Sequence, residues 1–210
     1  GNRSFGEDRD NVTDKGLAFM KGMQSAGTLA NAKHFPGHGD TEEDSHLKLP
    51  TINFSAQRID SIELYPYRKL IKQGLASVMV AHLNVPSLEK RRGFPSSLSK
   101  HIVTDILKEQ LGFNGLIFTD ALTMKGAADY VEKGVDGTNK KSLIKGGEID
   151  LMAFLAGNDV MLMSENPEKG IAKFVEAFNN GTITEERLAH SVKKILMAKY
   201  KVGLNNYSPI

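Results

Sequence analysis

The 210-residue sequence contains no cysteine, which excludes disulfide bonds and thiolate chemistry. It also lacks any apolar run close to the roughly 18 residues that a membrane span needs, so no membrane-spanning segment is predicted. A strong excess of one charge is missing too. The 27 basic and 25 acidic residues give a formal net charge of +2, and the basic residues are scattered along the chain. We therefore expect no nucleic-acid partner, and the sequence leaves the cellular compartment open.

What the sequence does contain is a series of short apolar runs that end in polar residues. Each run is continuous rather than alternating, which is typical of strands buried on both faces of a parallel sheet. The four runs are LANAKHF (29–35), ASVMVAHLN (76–84), GLIFTDAL (115–122) and NDVMLMSE (158–165).

Helical patterns lie before, between and after these runs. Pro66 is expected to kink the second helix, and Thr184 opens the last one, with two glutamates in its first turn. The predicted helices are 8–25, 56–73, 98–111, 140–156, 167–180 and 184–202. Strand followed by helix, four times, indicates an α/β fold with a parallel sheet and right-handed crossovers.

Two α/β architectures fit four such units, an open doubly wound sheet and part of a barrel. Polar residues follow several of the strands, and the five that we single out are Lys33, His34, His82, Asp120 and Ser164. Barrel enzymes collect their active groups from several strand ends, whereas open sheets use mainly one switch point. We therefore predict a (β/α)8 barrel of the TIM type, of which this chain supplies about the last four βα units.

The stretch KHFPGHGDTEEDSH (33–46) holds three of the six histidines, a lysine and four acids. It is too polar for a core and too broken by Gly and Pro for a helix, so it is predicted to be a functional loop. One interpretation is a divalent metal site formed by His34, His38, Asp40 and His46. The loop lacks the HExxH arrangement on a helix, and its Gly and Pro residues predict a flexible segment, which argues against that interpretation.

A second interpretation is general acid/base catalysis by His46, with Asp44 as its partner. Residues two apart in an extended or turn segment can bring a carboxylate and an imidazole together. The carboxylate would fix the tautomer of an imidazole whose unperturbed pKa lies near roughly 6.5. For His82, which ends the second run, a framework role and a place in the site both stay open.

Four stretches together carry a resemblance to a known family. KHFPGHGDTEEDSH, SVMVAHLNVP, GLIFTDALTMKG and the early NRSFGED are similar to glycoside hydrolase family 3, and specifically to its β-N-acetylglucosaminidases. The resemblance spans essentially the whole chain. It implies a nucleophile, an acid/base pair and three residues that hold the sugar hydroxyls. The nucleophile would be Asp120, the acid/base pair would be His46 with Asp44, and the residues that hold the sugar would be Arg3, Lys33 and His34.

The implied activity is that of a retaining exo-glycosidase. It would release terminal β-N-acetylglucosamine from peptidoglycan or chitin-type fragments through a covalent glycosyl-enzyme, without a cofactor. Residues 1–205 would form a partial catalytic barrel and 206–210 a tail or the start of a linker, with the N-terminal half-barrel expected upstream. Four alternatives stay open: a phosphorylase with the same nucleophile, a β-glucosidase, a metal-dependent hydrolase and an inactive fragment.

Overall fold

The computed structural model describes residues 4–39, 41, 49–127, 130 and 147–206. Its centre is a parallel three-stranded sheet with the strands in chain order. The strands are β1 (Asn31–Phe35), β2 (Ser77–Val80) and β3 (Leu116–Thr119). The fourth predicted strand meets β3 as a single bridge between Phe118 and Val160.

Seven helices surround this sheet in the described part of the chain. They are α1 (Arg9–Ser25), α2 (Ala56–Ser61), α3 (Leu64–Lys72), the π-helix α4 (His101–Gln110), α5 (Glu148–Ala156), α6 (Pro167–Asn179) and α7 (Glu185–Lys201). Short 3-10 turns cover Ser96–Leu98 and Leu204–Asn206. The order alternates strand and helix as predicted, and α1, α6 and α7 end within two residues of the predicted bounds.

The predicted kink at Pro66 was wrong in position. The chain breaks earlier, between α2 and α3, where the cap residue Ile62 departs from helical geometry with φ −116° and ψ −63°. Pro66 instead lies in the first turn of α3, where a missing N–H removes no helical hydrogen bond. Residues 140–146 of the predicted fourth helix (140–156) lie outside the described residues.

The second and third apolar runs contribute to the core as expected, whereas the first and the fourth do so only in part, and Met163 of the fourth run is exposed. Val78, Val80 and Ile117 are fully buried in β2 and β3. In β1, however, Asn31 and Lys33 are exposed and alternate with half-buried neighbours before the buried Phe35. The prediction of burial on both faces was therefore wrong for β1 in the described part of the chain, because only Phe35 of its five residues is buried.

A buried carboxylate joins α7 to the amino end of β3. Asp159 accepts hydrogen bonds from the Ile117 backbone N–H at 3.0 Å, from the Ser191 hydroxyl at 2.5 Å and from the Lys194 ammonium at 2.5 Å. The Asp159 side chain is fully buried. This cluster lies at the end of β3 opposite to Asp120, so it contributes to the fold rather than to a site at the carboxyl edge.

Within the described residues the sheet does not close on itself. The observed architecture is an α/β fold in which helices pack on a parallel sheet. None of the described helices is both long and apolar enough to cross a membrane.

Candidate active site

Three polar residues lie at the carboxyl edge of the sheet, one at or just beyond the end of each strand. His34 lies near the end of β1, His82 lies two residues beyond β2, and Asp120 follows β3 directly. Because the strands are parallel, their carboxyl ends share one edge, which is where α/β enzymes place their reactive groups.

Asp120 and His34 face each other across this edge. The Asp120 Oδ2 atom lies 3.7 Å from His34 Nε2, and the two side chains are 15% and 24% exposed. The other carboxylate oxygen, Oδ1, accepts a hydrogen bond of 2.9 Å from the Ala121 backbone N–H. The Asp120 backbone N–H donates to the Val80 carbonyl at 2.8 Å. The carboxylate is therefore held on one oxygen and directed towards His34 with the other.

Lys33 is exposed beside His34 on β1. The peptide bonds Lys33–His34 and Phe35–Pro36 are both cis, and the pairing of β1 with β2 changes register between Ala32 and Phe35. The structure thus brings together two of the predicted site residues, Asp120 and His34, and places Lys33 on the same strand as His34. Arg3, Asp44 and His46, like Asp40 of the metal interpretation, lie outside the described residues.

Gly37, which follows β1, has a steric role. A Cβ atom at this position would lie 2.5 Å from Cγ and 2.7 Å from Cβ of Glu63, and the residue has φ +145°. Glu63 is itself held by the Arg58 guanidinium, at 2.6 and 2.7 Å from its two carboxylate oxygens. Gly37 therefore allows close packing of the loop against the start of α3, and the expectation that this glycine makes the loop flexible stays a prediction.

His38 interacts mainly with its own loop. Its Nδ1 atom lies 2.8 Å from the Thr41 hydroxyl, and its ring lies edge-on to His34 with 5.8 Å between centroids. Among the described residues, no group of three or more His, Asp or Glu side chains is arranged to hold a metal ion. The metal interpretation also needs Asp40 and His46, so it stays a prediction.

His82 is fully buried beneath the Asp120 turn. Its Nε2 lies 3.0 Å from the Ala121 carbonyl oxygen and its Nδ1 2.7 Å from the Ser97 hydroxyl. Burial lowers the pKa of His82, and this outweighs the opposing effect of the Asp120 charge. The sequence left the role of His82 open and gave no sign of Ser97, because the run PSSLS is typical of an ordinary polar turn.

Comparison with known proteins gives consistent results. Residues 1–198 match the family model described as Glycosyl hydrolase family 3 N terminal domain. Beta-hexosaminidase A of Pseudoalteromonas piscicida is 33% identical over 216 residues, which cover 98% of this chain and 36% of that protein.

Two solved structures show the same likeness. A glycoside hydrolase family 3 beta-N-acetylglucosaminidase from Paenibacillus sp. str. FPU-7 has a TM-score of 0.87 at 33% identity, covering 100% of this chain and 38% of that one. The beta-glucoside phosphorylase BglX bound to 2FGlc has a TM-score of 0.85 at 28% identity, covering 99% of this chain and 36% of that one. The chain thus spans little more than a third of the length of these three relatives.

Proposed function

The chain belongs to glycosyl hydrolase family 3, and we propose from this that its carboxyl-edge site is part of a retaining β-N-acetylglucosaminidase. One observation carries the proposal. A carboxylate at the end of an interior strand, Asp120, is fixed through one oxygen and has an imidazole, His34, 3.7 Å from the other. A retaining glycosidase needs such a positioned carboxylate below the anomeric carbon.

In the proposed first step, Oδ2 of Asp120 forms a bond to the anomeric carbon while the bond from that carbon to the leaving oxygen breaks. His46, steadied by Asp44, gives its proton to the leaving oxygen. In the second step, neutral His46 takes a proton from water, whose oxygen displaces Asp120 from the sugar. Two inversions at one carbon retain the configuration. The roles of His46 and Asp44 rest on the sequence motif.

The sugar would be held by hydrogen-bond donors next to the nucleophile. Lys33 and His34 lie on β1, and only β2 separates this strand from β3, which ends just before Asp120. We assign them, together with Arg3, to the hydroxyl groups of the terminal sugar, since Lys offers three rotatable donors and Arg a planar set of five. The proposed substrates are peptidoglycan or chitin-type fragments that end in β-N-acetylglucosamine.

We further propose that the complete active site is a (β/α)8 barrel, to which the described strands contribute the second half. The strand order β1-β2-β3 followed by the bridge at Val160 supports this, because barrel strands follow one another around the ring in chain order. The missing strands would come from further polypeptide, in keeping with the 36% of the Pseudoalteromonas relative that the chain covers. Activity is therefore to be measured on the full-length polypeptide that contains this chain.

The test of the nucleophile uses Asp120→Ala in that polypeptide. We expect hydrolysis of p-nitrophenyl β-N-acetylglucosaminide to fall by at least about 10⁴-fold. Added azide should restore turnover and yield the α-glycosyl azide, because a small anion can occupy the space of the missing carboxylate. Asp105→Ala, which removes a half-exposed carboxylate on α4, is the matched control and should keep full activity. Wild-type turnover by the Asp120 variant would refute the proposal.

The acid/base assignment is tested separately with His46→Ala. p-Nitrophenolate leaves without protonation, whereas a sugar alcohol does not. We therefore expect this variant to lose far more activity on N-acetylglucosamine oligosaccharides than on the nitrophenyl glycoside. Equal losses on the two substrates would contradict the assignment.

A phosphorylase is the second candidate, because the chain is also similar to a beta-glucoside phosphorylase at a TM-score of 0.85. An imidazole acid/base repels an incoming phosphate less than a carboxylate would. Turnover is to be compared in phosphate and in a non-nucleophilic buffer, with detection of sugar 1-phosphate. The same assay with the p-nitrophenyl glucoside would identify a β-glucosidase.

A further inference from the structure

We propose that the buried pair His82 and Ser97 positions the nucleophile, by holding the turn that carries Asp120 through the Ala121 carbonyl. This inference rests on the proposed function of Asp120. It makes His82 and Ser97 positioning residues, because within the described part of the chain their side chains bond to each other and to the Ala121 carbonyl. Neither side chain is hydrogen-bonded to the carboxylate of Asp120, whose Oδ1 atom accepts from the Ala121 N–H.

The hydrogen bonds fix the tautomer of His82. A carbonyl oxygen can only accept, so the Nε2 atom at 3.0 Å from the Ala121 oxygen must carry the proton. In a neutral imidazole Nδ1 is then an acceptor, and the Ser97 hydroxyl at 2.7 Å donates to it. Burial lowers the pKa of His82 and thereby favours this neutral form. Ser97, itself fully buried, thus donates to the ring nitrogen that this tautomer leaves as an acceptor and holds the ring in place.

Ala121 links the imidazole to the carboxylate. Its backbone N–H donates to Asp120 Oδ1 at 2.9 Å, while its carbonyl accepts from His82 and, at 3.0 Å, from the Met124 N–H. The backbone on either side is held by the neighbouring strands. The Asp120 N–H donates to Val80, and the Leu122 N–H donates to the carbonyl of Leu162 at 2.9 Å. Residue 121 therefore depends on His82 for a side-chain hydrogen bond, and a shift of Ala121 would move the N–H that holds Oδ1.

A neutral donor suits this position for an electrostatic reason. The transition state of a retaining glycosidase carries positive charge on the sugar, and the nucleophile loses its negative charge as the covalent bond forms. A positively charged imidazolium below Asp120 would repel the positive charge that develops on the sugar. It would also stabilise the ionised carboxylate and so disfavour the loss of its negative charge. A buried, neutral imidazole fixes the turn without adding that charge.

The main test compares His82→Leu and His82→Gln in the full-length polypeptide. Leucine removes the donor to Ala121, whereas the glutamine amide can still reach it. We expect His82→Leu to lower kcat on the nitrophenyl N-acetylglucosaminide by about 10²-fold with KM changed less than about twofold, the size expected for a misplaced reacting group. His82→Gln should recover most of the loss.

A double variant separates positioning from general structural damage. In Asp120→Ala the azide-rescued reaction uses no carboxylate, so adding His82→Leu should leave the rescued rate within about twofold. If His82→Leu slows the rescued reaction as much as it slows the wild type, or leaves the wild-type kcat unchanged, the inference is overturned. If azide rescue of Asp120→Ala itself fails and the variant retains turnover, the proposed nucleophile is wrong instead.

A milder pair covers the case in which His82→Leu does not fold. Ser97→Ala removes the hydrogen bond to His82, and we expect about a tenfold lower kcat. Ser99→Ala is the matched control, since Ser99 is also fully buried and bonds to Glu89 at 2.6 Å and to the Ile102 N–H at 3.2 Å, away from His82. It should lower the melting temperature while leaving kcat unchanged. Equal kcat for the two serine variants would also overturn the inference.

Discussion

Replacement of Gly37 by alanine should damage both the fold and the activity. The added Cβ would lie 2.5 Å from Cγ and 2.7 Å from Cβ of Glu63, whereas ordinary contact begins at 3.4 Å. Either the loop or the start of α3 must therefore move by about 1 Å. Arg58 holds Glu63 on both carboxylate oxygens, which limits how far that side chain can move away.

Two costs contribute to the expected loss of stability. Overpacking costs about 1–3 kcal/mol. A backbone φ of +145°, which L side chains rarely adopt, costs about 1–3 kcal/mol more. Because Gly37 follows His34 by three residues, a 1 Å displacement of the loop also misplaces the imidazole that faces Asp120. A displacement of that size lowers kcat/KM by about 10²-fold.

The assay measures kcat/KM on the nitrophenyl N-acetylglucosaminide and the melting temperature of the full-length polypeptide. Gly39→Ala is the matched control, because a Cβ on Gly39 would meet no atom of the described residues within 4 Å and its φ lies outside the positive range. We expect a melting temperature more than about 5 °C lower for Gly37→Ala and little change for Gly39→Ala. Indistinguishable values for the two variants in both measurements would refute the steric argument.

Two further predictions concern stability. Asp159→Ala should lower the free energy of unfolding by about 3–5 kcal/mol in a denaturant titration, because it removes a fully buried carboxylate that pairs with the Lys194 ammonium, whose side chain is 13% exposed. Asp105→Ala should stay within about 0.5 kcal/mol, and similar losses for the two variants would contradict this prediction. Hydrogen bonds from Arg91, opposed by burial, lower the pKa of Glu89 to about 2. Ionised Glu89 thus stabilises the fold fully above pH 4.5. The difference in melting temperature between the wild type and Glu89→Gln should therefore shrink as the pH falls from 4.5 towards 2. A difference that stays constant over this range would show that ionised Glu89 does not stabilise the fold.

The sequence predicts the sheet well where the apolar runs are continuous and less well at its margins. β2 and β3 lie inside their predicted runs, and each of their residues is buried or half-buried. The fourth run reaches only a bridge at Val160, and Met163 then adopts φ +48°, which ends the extended backbone before the predicted limit at residue 165. The π-type hydrogen bonding of α4 has no signature in a pattern that fits an ordinary helix.

For the site, the sequence predicts what depends on strand ends and misses what depends on packing. Asp120 and His34 follow or end apolar runs, so their meeting at one edge could be anticipated from a parallel sheet. The bond between His82 and Ser97 joins residues 15 positions apart, and it exists only because the segment after β2 folds back on that strand. Its role beneath Asp120 required the structure.

The proposed nucleophile and the proposed sugar contacts lie on different strands of the sheet. β3 is bonded on both flanks, to β2 and to the segment at Val160, so Asp120, the proposed nucleophile, follows a strand that is held from two sides. Lys33 and His34 project from β1, which in the described sheet has a neighbour on one flank alone. Because the proposed sugar contacts and the proposed nucleophile lie on different strands, substitutions on β1 can change which glycoside is accepted while the backbone that carries Asp120 stays in place.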